Sequence, residues 1–399
     1  MRITKTQQTL LGVLSQVLTG KAFDIPADTD WADLYAQCKA QAVAPMVFSC
    51  VAEKCSDPET FAKWRAFTMR AFQNNMNVHI QHSALHRLMT ENHISYCIIK
   101  GCASAKDYKD PLLRAMGDVD FLVSEEDWER AKQVLLADGF EADEEHQAFH
   151  LPFFKKNFEM EMHHEPFGLK GEKAKRLQTI VPELIEKSTE VSTGVSTFRM
   201  PDAFGHGIVI LLHAYRHLQD YGIGVRHLCD WAAFISGFSD EEFREIFENR
   251  FQELGLWRLT QVFSATAHRY LSIPYQSWMG QIDDEICEML MLDIFDGGNF
   301  GKGNGARLNQ NQALYSDNQQ LSQSGGVLQM MKTLNQQARD RYPRAMKCVL
   351  LWPFGWIVLG VRYVFRVATG KRERVPAETM KMVALRRKLY QQLEVFDEL

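Results

Sequence analysis

Residues 95–123 read SYCIIKGCASAKDYKDPLLRAMGDVDFLV. Apolar runs at both ends and a glycine followed by small residues predict strand, glycine turn, short helix, loop and strand. Asp118-Val119-Asp120 is the centre of the stretch. Side chains alternate faces along a strand, so the two carboxylates share one face while Val119, Phe121 and Val123 share the other. Hard Mg²⁺ prefers carboxylate oxygen and keeps positions open for water and substrate phosphates, so two aspartates one strand step apart form part of a divalent-cation ligand set. The plain alternative is a solvated acidic strand end, but two acids adjoining Phe-Leu-Val are poor strand formers without a ligand. A third carboxylate is therefore expected. Two acids held within a few ångströms repel, so replacing Asp120 by asparagine is expected to relieve that repulsion in metal-free protein.

Downstream, Ser124 reads as an N-cap with three acids in the first helical turn, and the helix should run to about Ala137 with Gly139 as its stop. Residues 149–154 and 158–163 then read as two strands. In the second, Glu159, Glu161 and His163 share a face opposite Met160 and Met162, which supplies two candidates for the third carboxylate. Upstream, residues 1–92 carry apolar positions at helical spacing, as in Leu10, Leu11, Leu14, Val17 and Leu18, broken by turn signals at Asp24-Ile25-Pro26 and Ser56-Asp57-Pro58.

Three pieces, Lys100-Gly101, Arg114-x-Met116-Gly117-Asp118-x-Asp120-Phe121-Leu122-Val123 and Met160-Glu161-Met162-His163, resemble the uncharacterised nucleotidyltransferase family of the polymerase-β-like superfamily. A weaker resemblance continues through His213-x-x-x-His217 and Arg226-His227-Leu228-x-Asp230, so that it covers roughly residues 75–300. The superfamily usually has a glycine followed by Gly or Ser after its first strand. This chain has Gly101-Cys102, with Ser104 two residues on, which leaves open which group supplies a phosphate-binding hydroxyl.

The resemblance implies that Asp118, Asp120 and Glu161 hold Mg²⁺, or Mn²⁺, with Glu159 as the fallback third ligand. It implies an NTP substrate, ATP first among them, whose nucleoside monophosphate passes to an unidentified hydroxyl or other nucleophile with release of pyrophosphate. Lys100, Gly101, Cys102, Ser104 and Arg114 would contact the phosphates, the two backbone amides at Gly101-Cys102 facing them from the start of a short helix. Lys100 has a second possible role as the partner of a site carboxylate. Glu161 and His163 would stand near the acceptor, and His213, His217 and Arg226 on the acceptor side. His213 and His217 are four apart on one helix face but lack the Glu that follows the first His of a zincin, so contact with substrate or a core role is favoured over a transition-metal site. Arg226 and Asp230 are also four apart, which an intrahelical ion pair explains. Two other classes compete: a nucleotide-binding scaffold on the same fold, and a kinase-like phosphoryl transferase. The second lacks a His-Arg-Asp loop and an Asp-Phe-Gly signature.

At 399 residues the chain exceeds one typical core, and 46% hydrophobic with 24% charged residues fits a globular protein. A formal charge of −5 gives no general nucleic-acid footprint. Eight cysteines without a C-x-x-C pair, and no secretory leader pattern at residue 1, lead to the expectation of reduced thiols and a cytoplasmic protein. The expected fold is α+β: a small mixed β-sheet nucleotidyltransferase core at 93–170, flanked by N-terminal helices at 1–92 and a larger helical region at 171–300. A flexible polar segment should follow at 301–345. The glycine-rich run at 296–305 lacks the terminal Lys-Ser/Thr of a P-loop and reads as a loop. The last segment, 346–399, contains fourteen uncharged residues at 348–361, too short and proline-broken for a span. It packs on the helical region or, with the aromatic and basic residues of 348–374, touches an anionic bilayer surface weakly, each basic residue contributing about 1 kcal/mol there. Liposome flotation separates the two: surface contact requires salt-sensitive recovery with anionic vesicles and none with neutral ones.

Overall fold

Strand β2, Val119–Val123, is buried along its whole length and is the second strand of the main sheet. The computed structural model describes residues 2–143, 150–156, 158–169, 172–299, 352 and 377–396. The sheet contains β1 (Tyr96–Ile98), β2, β3 (Glu141–Ala142), β4 (His150–Lys155) and β5 (Phe158–His163) in the order β1-β2-β5-β4-β3. β2 and β5 run parallel and the other pairs are antiparallel. The expected strands at 149–154 and 158–163 are β4 and β5, and the expected mixed-sheet α+β architecture is what the chain adopts.

Four helices precede the sheet: α1 (Lys5–Thr19), α2 (Trp31–Ala40), α3 (Ala44–Val51) and α4 (Pro58–Glu91). Asp57 caps α4 by accepting from the Glu59 amide, and Pro58 at its first position fits a site whose N–H has no helical partner. Val78, Leu85 and Met89 of α4 then pack in one cluster with Val119, Phe121, Val123, Met160 and Met162. These are the residues the alternation assigns to the face opposite the acids. Each large apolar side chain so buried stabilises the fold by about 1.5–3 kcal/mol.

Between β2 and its parallel partner lies α6 (Trp128–Ala137), which follows the short α5 (Cys102–Ala105) and adds Ala131 and Leu135 to the same cluster. The helix begins at Trp128, later than the Ser124 cap predicts. Ser124 Oγ does accept from the Asp127 amide at 3.1 Å, but that bond closes a turn that leads directly into the helix without being part of it. The C-terminal stop is as expected. Gly139, at φ +86°, lets its own N–H reach the Leu136 carbonyl and the Phe140 N–H reach that of Leu135, a Schellman closure.

Beyond the sheet come α7 (Glu172–Leu177), α8 (Ile180–Glu186), α9 (Ala203–Gln219), α10 (Val225–Ile235), α11 (Asp240–Phe243), α12 (Asn249–Glu253), α13 (Trp257–Leu271) and α14 (Asp284–Gly297). This region is not wholly helical. It includes the hairpin of β6 (Thr189–Ser192) and β7 (Thr197–Met200), whose apolar Val191, Phe198 and Met200 join the sheet's core. By contact the chain divides into Met1–Gly303 with Gln392–Leu399, and Asn304–Gln391. In the latter unit the described residues are Trp352 and most of helix α15 (Ala377–Leu393). The expected polar segment and the apolar and basic run at 348–374, Trp352 aside, lie outside the described residues. Among the described residues no helix is long and apolar enough to cross a membrane.

The loop that carries Asp118 is clamped from two sides. Asn75, buried in α4, donates to the carbonyls of Leu112 and Arg114 at 2.7 and 2.8 Å and accepts from the Met116 amide at 3.2 Å. From the other side Arg114 grips Asp230 of α10 with two charge-assisted bonds, Nε to Oδ1 at 2.7 Å and Nη2 to Oδ2 at 2.8 Å, while Tyr108 donates to Oδ1 at 2.7 Å. Burial opposes ionisation of Asp230, yet Arg114 outweighs it and draws the carboxyl down to about 2.

A carboxyl depressed in the fold stabilises it above its unfolded value, and that contribution is lost as pH falls through the folded value. Asp230→Asn leaves the Arg114 charge buried and uncompensated, which should cost about 3–5 kcal/mol at pH 7. The gap from wild type should narrow by about 2 kcal/mol between about pH 4 and pH 2, as urea unfolding at stepped pH would measure. A gap that stays constant to pH 2 would refute the assignment.

Candidate active site

The parallel register of β2 and β5 sets Asp120 opposite Glu161 and Leu122 opposite His163. Opposed residues share a sheet face, so Asp120, Glu161 and His163 stand together, and Asp118, two residues before Asp120, joins them. Carboxylate oxygens of Asp118, Asp120 and Glu161 all lie within 4.8 Å of one another. Glu161, not Glu159, is the residue brought to the two aspartates in that group.

Asp120 is buried and doubly paired: Lys100 Nζ and His163 Nε2 each donate to its Oδ1 at 2.8 Å. Burial favours the protonated acid, but Lys100 and then His163 reverse that and hold Asp120 well below the usual carboxylate range. The reciprocal effect holds His163 above its ordinary value against burial, through its hydrogen bond to Asp120 and the Glu161 carboxylate 3.4 Å away. Asp118 goes the other way. The Asp120 charge first, and burial second, push it up to about 7. The donor set is all oxygen, and crowded negative charge drives Asp118 toward protonation, so the site is chemically suited to a hard divalent cation that would relieve the repulsion.

This electrostatic asymmetry revises the expectation for Asp120→Asn. Removing the Asp120 charge would leave Lys100 and His163 without their partner, so Asp118→Asn is the substitution that relieves like-charge repulsion.

Lys100 reaches Asp120 because the Ile99 amide bonds the Asp120 carbonyl at 3.1 Å and holds the end of β1 beside β2. Next to it Gly101 turns the chain at φ +58°. A Cβ there would meet His82 Nε2 at 3.2 Å and the Asp118 carbonyl at 3.7 Å, in a conformation that side chains rarely adopt. Cys102 follows at the start of α5, its thiol 3.2 Å from His79 Nδ1 and pushed by burial up to about 12, so it is a protonated core group. Ser104 is buried in α5 yet lines the cleft. Arg114 is committed to Asp230 and touches the Gly101 carbonyl at 3.3 Å; it positions the turn instead of standing as an open cation.

A cleft of about 940 Å³ connects these groups with His213, His217, Arg226 and His227. The three histidine rings cluster, with centroids 4.5 Å apart for His213 and His217 and 5.6 Å for His213 and His227. Burial, with the Lys100 charge, holds His213 well below its ordinary value and His217 down to about 3, so both are neutral imidazoles at pH 7. Burial does the same to His227, aided by Arg226. Arg226 donates to the Ala115 carbonyl at 3.3 Å and lies 4.0 Å from Asp230, a looser contact than the intrahelical pair expected.

Two groups lining the cleft were not singled out from sequence. Arg70, Gln73, Asn74, Asn77 and Gln81 form one polar face of α4 along the cleft, and His150 of β4 stands opposite His163. The first was readable as a polar i, i+3, i+4, i+7, i+11 series. The second depends on a strand register that sequence does not disclose.

No curated protein matches the chain. A family model described as an uncharacterised nucleotidyltransferase matches residues 27–272, well over half of the 399. That span contains the acidic cluster, Lys100, Gly101 and all the cleft histidines, and the chain belongs to the uncharacterised nucleotidyltransferase family.

Proposed function

We propose that the cleft transfers a nucleoside monophosphate from an NTP, ATP first among candidates, to an acceptor nucleophile with release of pyrophosphate. The observation that carries this reading is the convergence of Asp118, Asp120 and Glu161 on one sheet face at a cleft whose size suits a nucleotide together with a small acceptor. Held by these three carboxylates, Mg²⁺ or Mn²⁺ supplies neutralisation of the triphosphate and a lowered pKa for an acceptor hydroxyl.

The remaining roles belong to the chain's own residues. Lys100 neutralises Asp120 in the free protein, and its ammonium is the cation nearest the acids for an incoming phosphate. Gly101 keeps the backbone close to that phosphate, with Arg114 fixing the turn through the Gly101 carbonyl. His163 orients Asp120 by its hydrogen bond and stands beside Glu161 at 3.4 Å, which supports a role for it near the acceptor. The neutral His213, His217 and His227 offer stacking and hydrogen-bonding surface beside the Arg226 guanidinium, a wall suited to an acceptor or a base.

Two substitutions test this. Asp118→Asn should raise the melting temperature of metal-free protein, abolish pyrophosphate release from Mg²⁺·ATP and lose most of the thermal stabilisation that Mg²⁺·ATP gives wild type. Equal Mg²⁺·ATP shifts in wild type and variant, with no metal-dependent nucleotide binding by calorimetry, would leave the scaffold reading in its place. His163→Ala should lower turnover by about 10–100-fold while changing nucleotide affinity little, since it acts through Asp120. Steady-state kinetics beside a binding titration measures both; turnover equal to wild type removes His163 from the site.

A further inference from the structure

β4 and β5 are antiparallel neighbours, and their register sets His150 opposite His163 while Glu161, two residues earlier on β5, projects to the same face. The two imidazoles bracket the Glu161 carboxylate. His163 Nε2 lies 3.4 Å from Oε2 and His150 Nε2 lies 3.5 Å from Oε1. Both separations exceed the about 2.7–3.2 Å of an ordinary N–H···O bond. They match instead the spacing of about 3.4 Å between two ligands that share one tetrahedral cation at about 2.1 Å from each. Ligand atoms of all three residues fall within 4.8 Å of one another, and the rings are tilted by 39° with centroids 5.2 Å apart.

The donor type differs from that of the neighbouring acids. Two imidazole nitrogens and one carboxylate suit Zn²⁺, Mn²⁺, Co²⁺ or Fe²⁺, whereas Mg²⁺ prefers oxygen alone. We propose that His150, His163 and Glu161 form a second cation site, selective for a transition-metal ion and contiguous with the Asp118 and Asp120 site through the shared Glu161 carboxylate. His163 Nε2 now donates to Asp120 at 2.8 Å. As the ion enters, that proton leaves to solvent and the freed lone pair turns to the metal. The shared carboxylate makes occupancy of one site felt at the other, since Glu161 bridges two cations in place of serving one.

The inference concerns ion binding and is tested without any turnover. The probe is Co²⁺, added to full-length metal-free protein and followed by visible absorption and X-ray absorption, with Mg²⁺ titrated in parallel by thermal shift. Wild type should bind one tight equivalent of Co²⁺ with imidazole nitrogen in its coordination shell. His150→Ala should weaken that binding at least about tenfold and keep the Mg²⁺ response. The His150 side chain is 32% exposed, so its truncation leaves the core filled, and the melting temperature of the metal-free variant checks this. Co²⁺ affinity unchanged in His150→Ala overturns the proposal, as does Co²⁺ binding that vanishes in Asp118→Asn but survives in His150→Ala. If His150→Ala fails to fold, the wild-type coordination shell decides: nitrogen ligands support the site and an all-oxygen shell refutes it. A protein that binds Co²⁺ through histidine yet releases no pyrophosphate keeps this inference and loses the transfer reading.

Discussion

Parallel pairing of β2 with β5 places Asp120 beside Glu161, and the chemistry of the cleft floor rests on that register. A slip of one residue would turn Met160 or Met162 toward the cleft and drive Glu161 into the apolar core. The opposite face forbids it. Val119, Phe121, Val123, Met160 and Met162 are packed there against α4 and α6, and moving even two such side chains into water would cost several kcal/mol at about 1.5–3 kcal/mol each. Crowding three carboxylates is unfavourable, but the apolar packing behind them is large enough to hold them in place. Burial on one side of the sheet thus sustains repulsion on the other.

The repulsion is also managed locally, and unevenly. Asp120 carries two partners, Lys100 and His163, and stays ionised, whereas Asp118 bears the effect of its neighbour's charge. Across the cleft the histidine wall is neutral because burial disfavours the imidazolium and the Lys100 charge adds to that effect. Lys100 therefore acts in two directions: it offsets Asp120 and discourages protonation of His213 and His217. A negative floor facing neutral imidazoles, with the Arg226 guanidinium beside them, is a distribution that admits a cation at the acids and offers neutral hydrogen-bonding groups opposite.

Much of this was legible in the chain. The alternation of Asp118, Val119, Asp120 and Phe121 gave the face of each side chain, since period-two geometry is local and needs no partner. The stop of α6 at Gly139 was legible for the same reason, a left-handed residue that glycine adopts freely. Its start was less so, because Ser124 caps a lead-in turn as readily as the helix itself. The β6–β7 hairpin was hidden inside a region read as helical, its strands being only four residues each. His150 could not be tied to His163 from sequence, since the pairing depends on a register between strands. Arg114 read as a phosphate cation because it flanks the acidic strand, and only the fold shows its guanidinium closed around Asp230, more than a hundred residues away.

Gly101 is where these constraints meet. Its carbonyl accepts from Arg114, the arginine that grips Asp230, and its preceding neighbour Lys100 neutralises Asp120. Two ion pairs, one from α10 and one on the sheet, are thereby coupled through a single turn whose φ of +58° a larger residue would strain. A buried ion pair adds little net stability because desolvation consumes most of the attraction, but it fixes geometry strictly, since either charge left alone is heavily penalised. Arg114 and Asp230 serve in that way here. They contribute a definite position for the Gly101 turn, and through it a definite direction for the Lys100 ammonium toward the acids. Helix α10 is therefore mechanically part of the sheet's site. A disturbance at Asp230 reaches Lys100 across Arg114 and one glycine, without passing through the apolar core at all.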